Sequence, residues 1–148
     1  SAGGGGGAGA PPAPPSLAEA LATCPRPGQP VLGRNPDPEG VTGMEVYLWA
    51  EAQEAMSSTG AVRGYEVRCT VTPMRWTWRT GDGGTYTRER PGGPHPDNPA
   101  EHVYETKGDY EMSLTVTWRM STNFGSTEVR RTTTVPYHVI EIRSVLTG

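Results

Sequence analysis

The chain has 148 residues, room for one domain and an appendage, and its 20 glycines and 15 prolines are unevenly spread along it. A net charge of −3 without any basic block or stripe argues against a nucleic-acid partner. No apolar run approaches the roughly 20 residues of a membrane-spanning helix, and the start at Ser1 shows no signal peptide but would fit the position after a removed leader.

Residues 1–42 contain the runs GGGGG, PPAPP, PRPGQP and NPDPEG. A stretch of that composition cannot bury a core, so it reads as an extended low-complexity arm ahead of a domain at 43–148. Within the arm, Ser16 and Glu19 have the spacing of a capping box, and Leu17 and Leu21 lie four apart. That pattern predicts a short helix over 17–23. The proline-rich residues after it are expected to be irregular, since each proline removes a ladder donor.

The domain begins with a strand at "GMEVYLWAE", where Met44, Val46, Leu48 and Ala50 share one face and Tyr47 and Trp49 the other. "EAQEAMSSTG" reads as a loop. In "VRGYEVRCTVTP", Tyr65, Val67, Cys69 and Val71 face one way, and Pro73 ends the pairing or marks a bulge. "MRWTWRT" is a further strand with Met74, Trp76 and Trp78 on one face. Residues 81–100 read as turn and loop. "DYEMSLTVTW" alternates cleanly, with Tyr110, Met112, Leu114, Val116 and Trp118 inward; a slip of one residue would expose the whole row. A hairpin around Asn123 and Gly125 leads to a last strand or pair of strands with a break or bulge at Pro136. The apolar run Val139 to Ile142 is expected to be covered on both faces. Short alternating strands with turn signals between them predict an antiparallel β-sandwich.

Three motifs occur in order: Trp76-x-Trp78-x-x-Gly81-Asp82-Gly83, then His102-x-Tyr104, then Gly108-x-Tyr110-x-x-x-Leu114-x-Val116. Together they resemble the PKD (polycystic kidney disease) domain, in which an aromatic strand runs into G-D-G and is followed by H-x-Y and G-x-Y motifs. The resemblance spans Val62 to Trp118, with the final strand placed by analogy. Thr80 departs from it by standing where the family usually has an aromatic residue, and Met112 by standing where valine is common. The resemblance implies an immunoglobulin-like sandwich and a non-catalytic module of a secreted or cell-surface protein, here bacterial. The residues themselves point to G-D-G as a structural corner. Glycines allow a tight reversal, and the Asp82 carboxylate can accept N–H groups of its own turn.

The chemical alternatives are a calcium site, a carbohydrate platform and a hydrolase. Asp37, Glu39, Asp82, Asp97 and Asp109 lie in or beside Gly/Pro-rich loops where calcium ligands belong, but no EF-hand spacing links them. His95, His102 and His138 lack zinc-ligand spacing. Tyr47, Trp49 and Tyr86 would stack on sugars if exposed; the competing reading is that the arm covers them. Glu101 with Glu105, or Asp97 with Asp109, are the carboxylate pairs available for hydrolysis, and nothing in the sequence sets either pair across a cleft.

Cys24 and Cys69 are the only cysteines. Paired, they tie the arm to the second strand and close a loop of about 45 residues, worth roughly 4 kcal/mol by loop entropy. That bridge fits an oxidising compartment, secreted or cell-envelope. The expected function is a non-catalytic extracellular module making protein or surface contacts. The alternatives are a filament subunit whose arm docks on the next copy and, third, a carbohydrate-binding accessory unit.

Overall fold

The computed structural model describes residues 10–142. One short helix, α1 (Leu17–Leu21), precedes nine strands: β1 (Leu32–Asn35), β2 (Glu39–Val41), β3 (Glu45–Ala50), β4 (Met56–Val62), β5 (Tyr65–Arg79), β6 (Thr85–Arg88), β7 (Ala100–Val103), β8 (Gly108–Thr122) and β9 (Gly125–Ile140). They form a three-stranded sheet β1-β3-β7 and a six-stranded sheet β2-β9-β8-β5-β4, with β6 also on β5. All pairs are antiparallel except β2 on β9. This is the expected all-β, immunoglobulin-like sandwich.

The alternation of β8 builds the core. Met112, Leu114, Val116, Trp118 and Met120 are fully buried and cluster with Trp76 and Trp78 of β5 and with Val46, Leu48 and Ala50 of β3. On β5 the buried positions change parity, from Val67, Cys69 and Val71 to Trp76 and Trp78. The switch is made by a bulge: Pro73 lies opposite Trp118 and Arg75 opposite Thr117, so Met74 has no partner. Without that extra residue both tryptophans would point to solvent. Met74, expected on the inner face, is instead 41% exposed because it is the bulged residue.

Several expectations need correction. "EAQEAMSSTG" is not all loop, because β4 pairs with β5 from Met56↔Val71 to Val62↔Tyr65 across the two-residue turn Arg63-Gly64. Both turn residues have positive φ, 48° and 85°, as the hairpin turn requires. The strand escaped notice because its inward positions include Ser58 and Gly60 and so show no apolar alternation. Within 81–100, β6 is a four-residue strand on the edge of β5.

The stretch after α1, expected to be irregular, supplies β1 and β2, one to each sheet. β9 runs through Pro136 without a break. On its outer side β2 reaches only His138 to Ile140, so Pro136 lies on an unpaired edge that tolerates a missing N–H. Of the last apolar residues Val139 is buried, whereas Ile142 is 68% exposed, because it lies beyond the end of β9.

The predicted helix and bridge are present. Ser16 Oγ accepts from Glu19 N at 3.1 Å and Glu19 Oε1 accepts from Ser16 N at 3.0 Å, closing the capping box. Cys24 and Cys69 form a disulfide.

Candidate functional site

β5 leaves the sheet at Arg79 and turns through the G-D-G corner. Gly81 has φ 91°, and a Cβ there would lie 2.6 Å from the Glu111 carbonyl oxygen, so conformation and space both demand glycine. Gly83, with φ 102°, completes the reversal. Thr80 N–H donates to Gly84 O at 3.1 Å and closes the turn.

Asp82 organises what surrounds it. The Thr80 hydroxyl donates to its Oδ1, and Gly84 N–H approaches the same oxygen at 3.4 Å. Its Oδ2 lies 2.8 Å from His102 Nε2, and His102 Nδ1 lies 2.7 Å from the Tyr86 hydroxyl. A carboxylate only accepts, so Nε2 carries the hydrogen; in the neutral ring Nδ1 then accepts from Tyr86. Burial pushes the Asp82 carboxyl up, but the hydrogen bonds from Thr80 and His102 outweigh it and hold the group below the usual aspartate range.

Behind this cluster lies an aromatic stack. Tyr104 is fully buried and its hydroxyl donates to Thr80 O at 2.7 Å. Burial pushes that hydroxyl's pKa well above the usual tyrosine value. The Tyr104 ring sits 4.7 Å from His102, edge to face, 4.6 Å from Tyr110 and 5.8 Å from Tyr137. Tyr110, at the start of β8 just after Gly108, returns its hydroxyl to Thr106 O four residues back. Tyr137 donates to Pro36 O at 2.6 Å, and burial raises its pKa to about 12. Trp78, also fully buried, donates from Nε1 to Trp49 O at 3.1 Å and so joins the two sheets. The structure thus brings Trp78, Gly81, Asp82, Gly83, His102, Tyr104 and Tyr110 into one corner, with Trp76 two residues before Trp78 in the core.

A family model of the PKD domain matches residues 41–135. This chain belongs to the PKD domain family. No curated protein and no solved structure matches it. The matched span of the PKD domain holds the whole Asp82 corner, whereas α1, Cys24 and β1 lie before it and Tyr137 to Ile140 beyond it.

The remaining candidates are dispersed over the described residues, some of them outside the matched span. Asp37 pairs with Arg34 at 3.3 Å and Asp97 with Arg90 at 3.2 Å. Asp109 and Glu39 flank His138 at 2.6 and 3.8 Å. Among the described residues no three His, Cys, Asp or Glu side chains converge on a point where a metal would sit. Glu101 and Glu105 are both exposed.

Of the aromatic platform, Tyr86 is committed to His102, and Tyr47 stacks on His95 with ring centroids 4.1 Å apart. Trp49 is covered by β1. β1 crosses it at Gly33, where a Cβ would lie 2.1 Å from the indole, so only glycine lets the backbone approach.

Sequence reasoning missed Arg63. From the β4–β5 turn its guanidinium donates to Ala13 O at 3.0 Å, Pro14 O at 3.1 Å and Glu19 Oε1 at 3.0 Å. Beside it the Tyr65 hydroxyl donates to Pro12 O at 2.8 Å. The contacts span about fifty residues of sequence and leave no local pattern; Gly64, as a turn residue after Arg63, was the one available signal.

Proposed function

We propose that this PKD domain is a non-catalytic contact module of a secreted or cell-envelope protein. The reading rests on one observation: at the site where its motifs converge, the polar atoms serve each other. Both oxygens of Asp82, both ring nitrogens of His102 and the hydroxyls of Tyr86 and Tyr104 are engaged inside the corner. A general base needs an acceptor aimed at a substrate, and this arrangement instead fixes a turn. The family supports a binding role, and the Cys24–Cys69 bridge fits an oxidising compartment.

In this reading residues 43–148 are the working module and residues 1–42 its arm. The carbonyls of Pro12, Ala13 and Pro14 are held by the chain's own Arg63 and Tyr65, which favours a monomeric module over assembly through the arm.

The test is the thiol state and location of the native protein. Alkylation and mass spectrometry on material from its natural source should find Cys24 and Cys69 bridged, in an extracellular or envelope fraction. Free thiols in a cytosolic fraction would overturn the proposal. Sedimentation of the purified chain should give a monomer, and a filament that vanishes on removal of residues 1–15 would favour assembly instead.

A further inference from the structure

A groove on the outer face of the six-stranded sheet is lined by arginines and threonines alone. Its centre is a row of threonines, one from each of four adjacent strands: Thr87 on β6, Thr77 on β5, Thr115 on β8 and Thr132 on β9. They are linked in pairs, Thr77 Oγ1 to Thr87 Oγ1 at 3.1 Å and Thr115 Oγ1 to Thr132 Oγ1 at 2.8 Å. The neighbouring row is Arg75, Thr117 and Arg130, and Thr117 is only 4% exposed between the two arginines. Arg79 closes the other side of the threonine row. Together these residues line a shallow groove of about 410 Å³.

The charge of this groove runs against that of the chain. The molecule is net −3, yet the lining holds three arginines and no carboxylate. Glu128 reaches Arg75 at 3.7 Å from the rim. Among the described residues Arg79 and Arg130 have no carboxylate partner. Arg75 and Arg79 stand about 13 Å apart along β5, and Arg130 lies two strands away, about 10 Å across. Guanidinium forks at that spacing, separated by hydroxyls, suit a ligand with repeated anionic groups on a hydroxyl-rich backbone.

We propose that this groove binds an acidic polysaccharide, a glycan chain carrying carboxylate or sulfate groups, as the surface partner of the module. The proposal rests on the extracellular contact-module reading. A nucleic acid fits less well, because the groove is lined by no ring on which a base could stack and by no extended basic stripe. A protein partner fits less well, because the groove lining lacks the aromatic and aliphatic anchors that centre protein interfaces. The threonine hydroxyls are matched instead to sugar hydroxyls, and the arginines supply long-range attraction that salt screens.

The experiment measures binding of the intact oxidised chain to immobilised polygalacturonate and dextran sulfate, with neutral dextran and a DNA duplex as comparisons, at about 50 mM salt. At least one acidic glycan should bind about tenfold or more tightly than neutral dextran. The Arg79→Gln/Arg130→Gln double variant should lose about tenfold or more, with unchanged circular dichroism, while Arg63→Gln, in the β4–β5 turn twelve residues before Arg75, should bind as the parent does. Thr77→Val/Thr115→Val should weaken binding while leaving its salt dependence unchanged.

No binding to either acidic glycan, or full binding by the arginine double variant, would overturn the proposal. Equal affinity for the DNA duplex with no effect of the threonine variant would also overturn it, since charge alone would then suffice. None of these results touches the thiol state and location of the native protein, so the two proposals fail separately.

Discussion

The long strand β5 is anchored at both ends by different means. Past its last residue lies the Asp82 corner, built from residues 80–110 through short hydrogen bonds and stacked rings. Near its first residue lie the disulfide at Cys69 and the Arg63 clamp, which bring in the arm from about fifty residues away. The corner is local and polar, inside the family's pattern, whereas the arm anchor is long-range and partly covalent and starts outside it. A domain can thus keep a shared corner while acquiring its own brace at the other end. The two anchors should fail differently.

The largest effect is expected at the arm. Replacing Cys24 and Cys69 by serine frees a loop with a sequence separation of 45 residues. The loop-entropy model puts the cost at about 4 kcal/mol. Urea denaturation of the variant, or of the parent with and without reductant, measures it. An unchanged midpoint would mean that α1 and its contacts hold the arm unaided, and the contrast between the two ends would collapse.

The corner should yield less per residue. Tyr104→Phe keeps the ring stack but deletes the donor to the buried Thr80 carbonyl. Leaving that acceptor unpaired is expected to cost about 1–3 kcal/mol in denaturant unfolding. A loss below about 0.5 kcal/mol would assign the tyrosine a packing role only.

The difference between the ends also explains what could be read in advance. The Trp76-Trp78 strand, the G-D-G turn and the Tyr110 strand carry their geometry in adjacent residues, so period and turn chemistry expose them. At the arm, only the capping box and the two cysteines were legible, the first because it is local and the second because no other pairing existed. β1 and β2 were invisible because prolines and glycines surround them. Their glycines serve close approach: Gly33 lies against Trp49 and Gly40 against Tyr137. β4 was invisible because an edge strand half exposed on its inner face needs no apolar alternation. The bulge at Met74 was signalled by Pro73, but its consequence, a switch of facing along β5, follows only from the pairing with β8.

A pH titration sharpens the comparison further. The folded Asp82 carboxyl lies below its unfolded value, so the stability it contributes is present above about pH 4 and is lost as pH falls through the folded pKa. Asp82→Asn should therefore destabilise the domain at neutral pH and flatten the fall in stability below about pH 4. The disulfide variant should keep the parent's acid slope, because cystine does not titrate. Parallel slopes for the parent and Asp82→Asn would remove the corner's electrostatic role.

The smallest effect on global stability is expected from Arg63→Ala. The pair it forms with Glu19 is solvent-exposed, and such pairs contribute little. What the guanidinium does is hold two arm carbonyls that have no strand to pair with. Its loss should leave the unfolding midpoint nearly unchanged while releasing the segment around Ala13 and Pro14. Limited proteolysis should then cut ahead of α1 faster than in the parent, with the fragment from Cys24 onward intact because the disulfide still holds it. Equal cutting rates would mean that Tyr65 and the capped helix hold the arm by themselves. In that case the brace at this end of β5 consists of the Tyr65 hydrogen bond, the capped helix and the disulfide, with no part for the guanidinium.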